Sequence, residues 1–153
     1  MVGVLILTHG GVAPELLASA RVIAGALDNF RALALDWSDG QDEAKNKVSD
    51  ILHDIDQGEG VLILTDILGG TPSNAARSFC QQGKVEVVAG VNLPMVVRLG
   101  CLSKKKLPLG ELATFVRDKG RKSICCSSDH PTPPAASGDP CEPTTSPAQA
   151  EGS

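Results

Sequence analysis

Short apolar stretches alternate with amphipathic stretches along residues 1–126, and this alternation constrains the fold more than any other feature of the sequence. Runs rich in Val, Ile and Leu predict buried strands at 2–8, 31–36, 61–65 and 84–89. Helical periodicity predicts helices from 14, over 41–57, and from 72, 94 and 108. A strand–helix order of this kind predicts an α/β fold with a doubly wound, mostly parallel sheet and right-handed crossovers.

The end of the chain has a different composition. Residues 127–153 hold six of the ten prolines and four acidic residues, and they contain no Lys, Arg, Leu, Ile, Val, Met or aromatic residue. Such a segment has too little apolar surface to form a core, so we expect it to be a disordered acidic tail. The folded domain is therefore predicted at 1–126 and the tail at 127–153.

Composition excludes several classes of function. A net charge of −4 argues against nonspecific nucleic-acid binding, and 3% aromatic residues argue against stacking platforms or a flavin site. The apolar runs have strand length and no signal peptide is visible, so we expect a cytoplasmic protein that does not insert into membranes. Neither G-x-x-x-x-G-K-[ST] nor G-x-G-x-x-G occurs, and no cofactor is predicted.

The five cysteines do not form a recognisable metal motif. Cys80 and Cys101 are expected to be small core residues on helices. Cys125 and Cys126 stand at the end of the predicted domain, and with His130 and Cys141 they do not have the spacing of a common zinc site. We therefore predict no metal.

Polar residues follow two of the predicted strands. His9 follows the first strand and Asp66 follows the third. Doubly wound sheets bind ligands at the carboxyl ends of their strands, where the strand order reverses. In the order 2-1-3-4 the first and third strands are neighbours, so we expect the two side chains to face each other. Each is followed by a glycine pair that leads into a helix N-terminus, a place for an anion; the pairs are Gly10 with Gly11 and Gly69 with Gly70.

These residue types suit a phosphoryl group carried on histidine. A carboxylate that accepts a hydrogen bond from Nδ1–H fixes the tautomer and leaves Nε2 as the nucleophile. The glycines allow close backbone approach, and Thr71, the expected N-cap before Pro72, offers a hydroxyl to the phosphoryl oxygens. The alternative is that His9 merely ends a strand and caps a helix.

Three stretches resemble one known family: residues 5–11 (LILTHGG), 64–76 (LTDILGGTPSNAA) and 90–97 (GVNLPMVV). They are similar to the signature stretches of mannose-family enzyme IIA, the phosphocarrier domain of the bacterial phosphoenolpyruvate–sugar phosphotransferase system (PTS). The resemblance covers about residues 1–125. It implies that His9 takes a phosphoryl group from phospho-HPr and passes it to enzyme IIB, with Asp66 holding the imidazole and Thr71 at the phosphate. It also implies a homodimer that exchanges a last short strand, here 121–126.

The chain departs from this family at two positions. Transporter-linked members commonly carry aromatic residues where Leu68 and Ser73 stand here, and no IIB domain follows in this sequence. A regulatory phosphoprotein charged by HPr without a transport role is therefore an alternative. The phosphocarrier subunit of dihydroxyacetone kinase and a non-catalytic dimeric scaffold are lower alternatives.

Overall fold

Four parallel strands form a single sheet in the predicted order. The structure, a computed structural model of the chain, describes residues 1–102 and 105–129. The strands are β1 (Gly3–His9), β2 (Phe30–Leu35), β3 (Val61–Thr65) and β4 (Val85–Ala89). Their order is β2-β1-β3-β4, and every pair is parallel. The α/β fold and the strand order 2-1-3-4 are thereby confirmed.

Helices cover both faces of the sheet. They are α1 (Val12–Ala24), α2 (Gln41–Ile55), α3 (Thr71–Arg77), α4 (Leu93–Leu102) and α5 (Leu109–Lys122), followed by a 3₁₀ turn at Ser127–Asp129. The apolar sides of α1, α4 and α5 pack on one face, and those of α2 and α3 pack on the other. None of the helices within the described ranges combines the length and the apolar character that a membrane span needs.

The central strand β1 divides its side chains between the two cores. Val4 and Ile6 belong to the core on the α1 face, and Leu5 and Leu7 belong to the core on the α2 face. All four are at most 2% exposed, which explains why the strand has no polar alternation in the sequence. Two covered faces hold β1 rigidly, so the residue at its carboxyl end has a fixed position.

The end of the described chain differs from the prediction. Residues 121–126 are expected to form a strand, but α5 continues to Lys122 and the backbone then runs without regular structure to Cys126. Three basic residues in the last turn of α5 favour this extension, because cations stabilise the negative end of a helix. Exchange of this segment between subunits stays a prediction, and most of the predicted tail, 130–153, lies outside the described residues.

One prediction about the cysteines is confirmed in part and one is wrong. Cys101 lies on α4 as predicted, but it is only partly buried where it packs against the core. Cys80 is a free, exposed cysteine beyond the end of α3. The reason is that α3 has only seven residues, so the helical periodicity that would have turned Cys80 inward stops at Arg77. His130 and Cys141 lie outside the described residues.

Candidate functional site

The carboxyl ends of three neighbouring strands meet at one edge of the sheet. His9 ends β1 and pairs with Leu35 at the end of β2, and Asp66 directly follows β3. Because β1 lies between β2 and β3, residues that follow either neighbour come close to His9. Asp66 does so from the β3 side, as predicted, and Trp37 does so from the β2 side.

His9 and Asp66 are joined by two hydrogen bonds to one carboxylate oxygen. The backbone N–H of His9 donates to Oδ2 of Asp66 at 2.9 Å, and Nδ1 of the imidazole lies 2.9 Å from the same oxygen. Both side chains are largely buried, with 14% of His9 and 17% of Asp66 exposed. A carboxylate only accepts hydrogen bonds, so it favours the tautomer with the proton on Nδ1 and leaves the lone pair of Nε2 available.

The pKa of the Asp66 carboxyl lies below its usual value of 3.8. Burial would raise this pKa, but hydrogen bonds from the N–H and the ring of His9 and from the N–H of Ile67 outweigh it. The Ile67 N–H donates to Oδ1 at 2.8 Å, so both carboxylate oxygens are engaged. Asp66 is therefore ionised at neutral pH, the state in which it accepts a hydrogen bond from Nδ1–H.

The indole of Trp37 stacks on the imidazole of His9, a contact that the sequence did not predict. The ring centroids are 4.7 Å apart and the ring planes differ by 15°. Trp37 is nevertheless 80% exposed. The sequence did contain an indication of this contact. His9 and Asp66 were selected because they stand where strands end, and the same criterion applies to Trp37, which follows β2.

The glycines beside the site serve different purposes. Gly10 and Gly69 have φ values of 51° and 87°, a region that residues with a side chain rarely adopt. Gly70 has an ordinary φ of −73°, but a β-carbon there would lie 2.8 Å from Cε1 of His9. A β-carbon on Gly11 would meet open space. Gly70 is thus the glycine whose backbone closely approaches the imidazole.

Thr71 does not occupy the predicted capping position. The N-cap of α3 is Gly70, and Thr71 is the first helical residue, half-buried beside the loop. The preceding Gly70 already has the extended conformation of an N-cap, which moves the helix start by one residue. Within the described chain no hydrogen bond joins the Thr71 side chain to His9, so its contact with a phosphoryl group stays a prediction.

A hydrogen bond from the first turn of α1 to Thr8, a residue not predicted from the sequence, holds this turn against the end of β1. The buried hydroxyl of Thr8 accepts a hydrogen bond from the N–H of Ala13 at 2.8 Å. Gly10 and Gly11 bridge β1 and this turn, and the N–H groups that begin a helix have no acceptor within it. The positive end of α1 therefore lies beside His9, where it would favour an anion.

Large apolar residues that stand near the site residues in the chain, or that stack on His9, are exposed to solvent. Val12, Trp37, Ile67 and Leu68 are all exposed, from 48% for Val12 to 80% for Trp37. Among the described residues no group of three or more His, Cys, Asp or Glu side chains could hold a metal ion. The site thus combines one imidazole, one carboxylate and backbone N–H groups with exposed apolar residues nearby in the chain.

The chain is similar to several components of a bacterial phosphotransferase system (PTS). A model of the family described as "PTS system fructose IIA component" matches residues 3–116. The PTS system fructose-specific EIIA component of Bacillus subtilis is 33% identical over 131 residues, which cover 85% of this chain and 89% of that protein. The mannose-specific EIIAB component of Escherichia coli is 30% identical over 136 residues, 88% of this chain but 42% of that longer protein. The solved mannose/sorbose specific IIA subunit of Enterococcus faecalis superposes with a TM-score of 0.74 at 28% identity, covering 82% of this chain and 93% of that one.

Proposed function

The chain belongs to the family of PTS IIA components, and from this membership we propose that it is a cytoplasmic phosphohistidine carrier whose phosphorylated residue is His9. Members of this family transfer phosphoryl groups within the phosphotransferase system. We further propose phospho-HPr as the donor and an enzyme IIB as the acceptor, so that the protein takes part in sugar uptake.

The observation that carries the proposal is the pair of hydrogen bonds between His9 and Asp66. Nδ1 is engaged at 2.9 Å by an ionised carboxylate, which leaves Nε2 as the nucleophile. In the forward step the Nε2 lone pair forms a bond to phosphorus while the N–P bond of the donor phosphohistidine breaks, and the donor nitrogen keeps that electron pair. Transfer to IIB repeats the exchange with Nε2 of His9 as the leaving group.

The surroundings of His9 favour a protein as donor and acceptor. The exposed apolar residues around the site offer the kind of surface that a partner protein buries on docking. A small anionic substrate would gain little from Ile67 or Leu68, which are 62% and 72% exposed. We propose that backbone N–H groups of Gly10, Gly11, Gly69 and Gly70 bind the phosphoryl oxygens, with Gly70 lying against the imidazole, and that Thr71 adds a hydroxyl donor.

We also propose that the protein is a homodimer in which the segment after α5 adds to the sheet of a second copy. Ile124 in this segment is 77% exposed, and Cys125 and Cys126 beside it are exposed as well. Within the described chain β2 and β4 are the edge strands of the sheet, and β4 has a single bridge, from Val85 to Gln81, at its start. A short segment that cannot be stable alone is stabilised by pairing with such an edge. The added segment also covers the edge strand's unpaired backbone groups.

Phosphoryl transfer from phospho-HPr tests the function. The wild type is expected to take one acid-labile, base-stable phosphoryl group per chain, and His9→Ala none. His53→Ala is the matched control, because His53 lies exposed on α2 and should leave labelling unchanged. Labelled protein is then mixed with the IIB proteins of its own genome. Loss of label to a IIB supports uptake, retention with all of them supports the regulatory alternative, and an unlabelled wild type contradicts both.

A further inference from the structure

The stack between Trp37 and His9 gives the site a component that the proposed function does not use. We propose that Trp37 is a positioning residue for phosphoryl transfer, whose indole fixes the plane of the His9 imidazole so that Nε2 meets the incoming phosphorus. The proposal rests on the proposed function, since it concerns how the same histidine acts. It is carried by the 4.7 Å centroid separation and the near-parallel ring planes.

A hydrogen bond alone does not determine the orientation of an imidazole ring. The bond from Nδ1 to Asp66 fixes one atom of the ring, but the ring can still tilt about that contact. A phosphoryl group on Nε2 lies in the plane of the ring, so each degree of tilt moves the phosphorus. A flat indole against one face, with planes only 15° apart, restricts that tilt in a way that a hydrogen bond does not.

Trp37 reaches this position because its loop is held by hydrogen bonds. The N–H of Asp36 donates to Oδ2 of Asp39 at 3.0 Å, and the N–H of Asp39 donates to the carbonyl of Asp36 at 3.0 Å. Lys47 on α2 donates to the same Oδ2 at 2.8 Å. The Asp39 side chain is only 5% exposed, so this ion pair joins the turn that carries Trp37 to the body of the protein.

Burial does not account for the placement of the indole. Trp37 keeps 80% of its surface exposed, so the burial of apolar area does not explain its position. A β-carbon added to Gly10 would lie 3.8 Å from Nε1 of Trp37, an ordinary contact distance, so the indole is not wedged against Gly10. Within the described chain, the ring that stacks on Trp37 is that of His9, the candidate nucleophile. An exposed tryptophan held by a fixed turn against a reactive imidazole is explained by its effect on that imidazole.

Steady-state transfer from phospho-HPr separates positioning from docking. We expect Trp37→Ala to lower kcat by about tenfold to a hundredfold, because ring tilt acts after the partner has bound, while any rise in KM for phospho-HPr reports the exposed apolar surface that the same change removes. Trp37→Phe keeps an aromatic face and should recover kcat to within about threefold of the wild type. Val22→Ala is the control, since Val22 is 88% exposed on α1 and touches no part of the site.

A second readout reports the stack itself. Trp37 is the single tryptophan of the chain, so its ring current is the one indole effect on the His9 ring protons in an NMR spectrum. Trp37→Ala should shift those protons, with the melting temperature close to that of the wild type. A kcat equal to the wild type, or a raised KM with kcat unchanged, overturns the positioning role and leaves the proposed function standing. A wild type that takes no phosphoryl group overturns both, even where the NMR shift is present.

Discussion

Gly70 lies so close to His9 that a β-carbon at position 70 would stand 2.8 Å from Cε1 of the imidazole. Its φ of −73° is one that any residue adopts, so the imidazole and not the backbone conformation requires glycine here. The His9 ring is thus bounded by Asp66 at Nδ1, by Trp37 on one face and by the Gly70 backbone near Cε1. These three contacts leave the ring little freedom to move.

Gly70→Ala should displace the imidazole while leaving the backbone unstrained. The added methyl group pushes against Cε1, so the ring must tilt or lose its hydrogen bond to Asp66. We expect transfer from phospho-HPr to fall by about tenfold or more, with a loss of stability of about 1–2 kcal/mol. Gly110→Ala on α5, where a β-carbon meets open space, is the control. Full transfer activity in Gly70→Ala would show that the ring tolerates the contact.

Asp66→Asn should slow transfer by orders of magnitude without unfolding the protein. The amide is nearly isosteric, but it can present N–H₂ to Nδ1 and favour the tautomer whose proton lies on Nε2, as in a hydrolase triad. Single-turnover labelling measures the effect. An unchanged rate would remove Asp66 from the mechanism.

The same variant has a predicted pH dependence of stability. The pKa of Asp66 is lowered in the folded protein, so its contribution is present above the usual carboxyl value of 3.8 and is lost as the pH falls through the folded pKa. The gap in melting temperature between the wild type and Asp66→Asn should be largest at neutral pH and close in acid. A gap that does not change with pH would contradict this assignment.

The ion pair between Lys47 and Asp39 should raise the melting temperature and hold the turn that carries Trp37 in place. The hydrogen bond to Lys47 lowers the pKa of Asp39 and the hydrogen bond to Asp39 raises that of Lys47. The pair therefore stabilises the fold between pH 3.8 and 10.5, the usual pKa values of the two groups, and this stabilisation is lost as the pH falls in acid or rises in alkali.

Lys47→Met should lower the melting temperature at neutral pH and change the near-ultraviolet circular dichroism of Trp37. Lys45→Met, on the same helix, is the control. Equal melting curves for Lys47→Met and the wild type would exclude the ion pair as the anchor of this turn.

Parts of the site could be predicted from the sequence because they depend on strand ends. Polar residues at the ends of two buried runs identified His9 and Asp66, and the order 2-1-3-4, one of the orders that a doubly wound sheet can have, brings them together. The stack of Trp37 on His9 depends on the path of the turn that Asp39 and Lys47 hold in place. A contact of this kind between two elements produces no repeating pattern of apolar residues, so the sequence does not reveal it.

The end of α5 could not be predicted for a related reason. Residues 121–126 have the composition of either a helix end or an edge strand, and the sequence alone does not decide between them. Within one chain the basic last turn continues the helix to Lys122. The start of α3 was displaced by one residue because both Gly70 and Thr71 are acceptable N-caps, and the backbone of Gly70 decides between them.

Truncation after Ser123 tests the proposed strand exchange. Ser123 is the C-cap of α5, so this truncation keeps the helix and removes the segment that would pair with the second copy. We expect the full chain to be a dimer at tens of micromolar by light scattering and the truncated chain to be a less stable monomer. A chain ending after Asp129 is the control and should remain dimeric. A monomeric full-length protein, or a truncated protein that is still dimeric, counts against the exchange and leaves the His9 chemistry untouched.

Mapping the phosphorylated atom tests the central claim most directly. Protein labelled by phospho-HPr is examined by ³¹P NMR and by mass spectrometry of its phosphopeptides, with His9→Ala in parallel. Because Nδ1 is bonded to Asp66, the predicted result is one phosphoryl group per chain, on Nε2 of His9, and none in the variant. A phosphoryl group on Nδ1 or on another residue, or a wild type that takes none, would contradict the account.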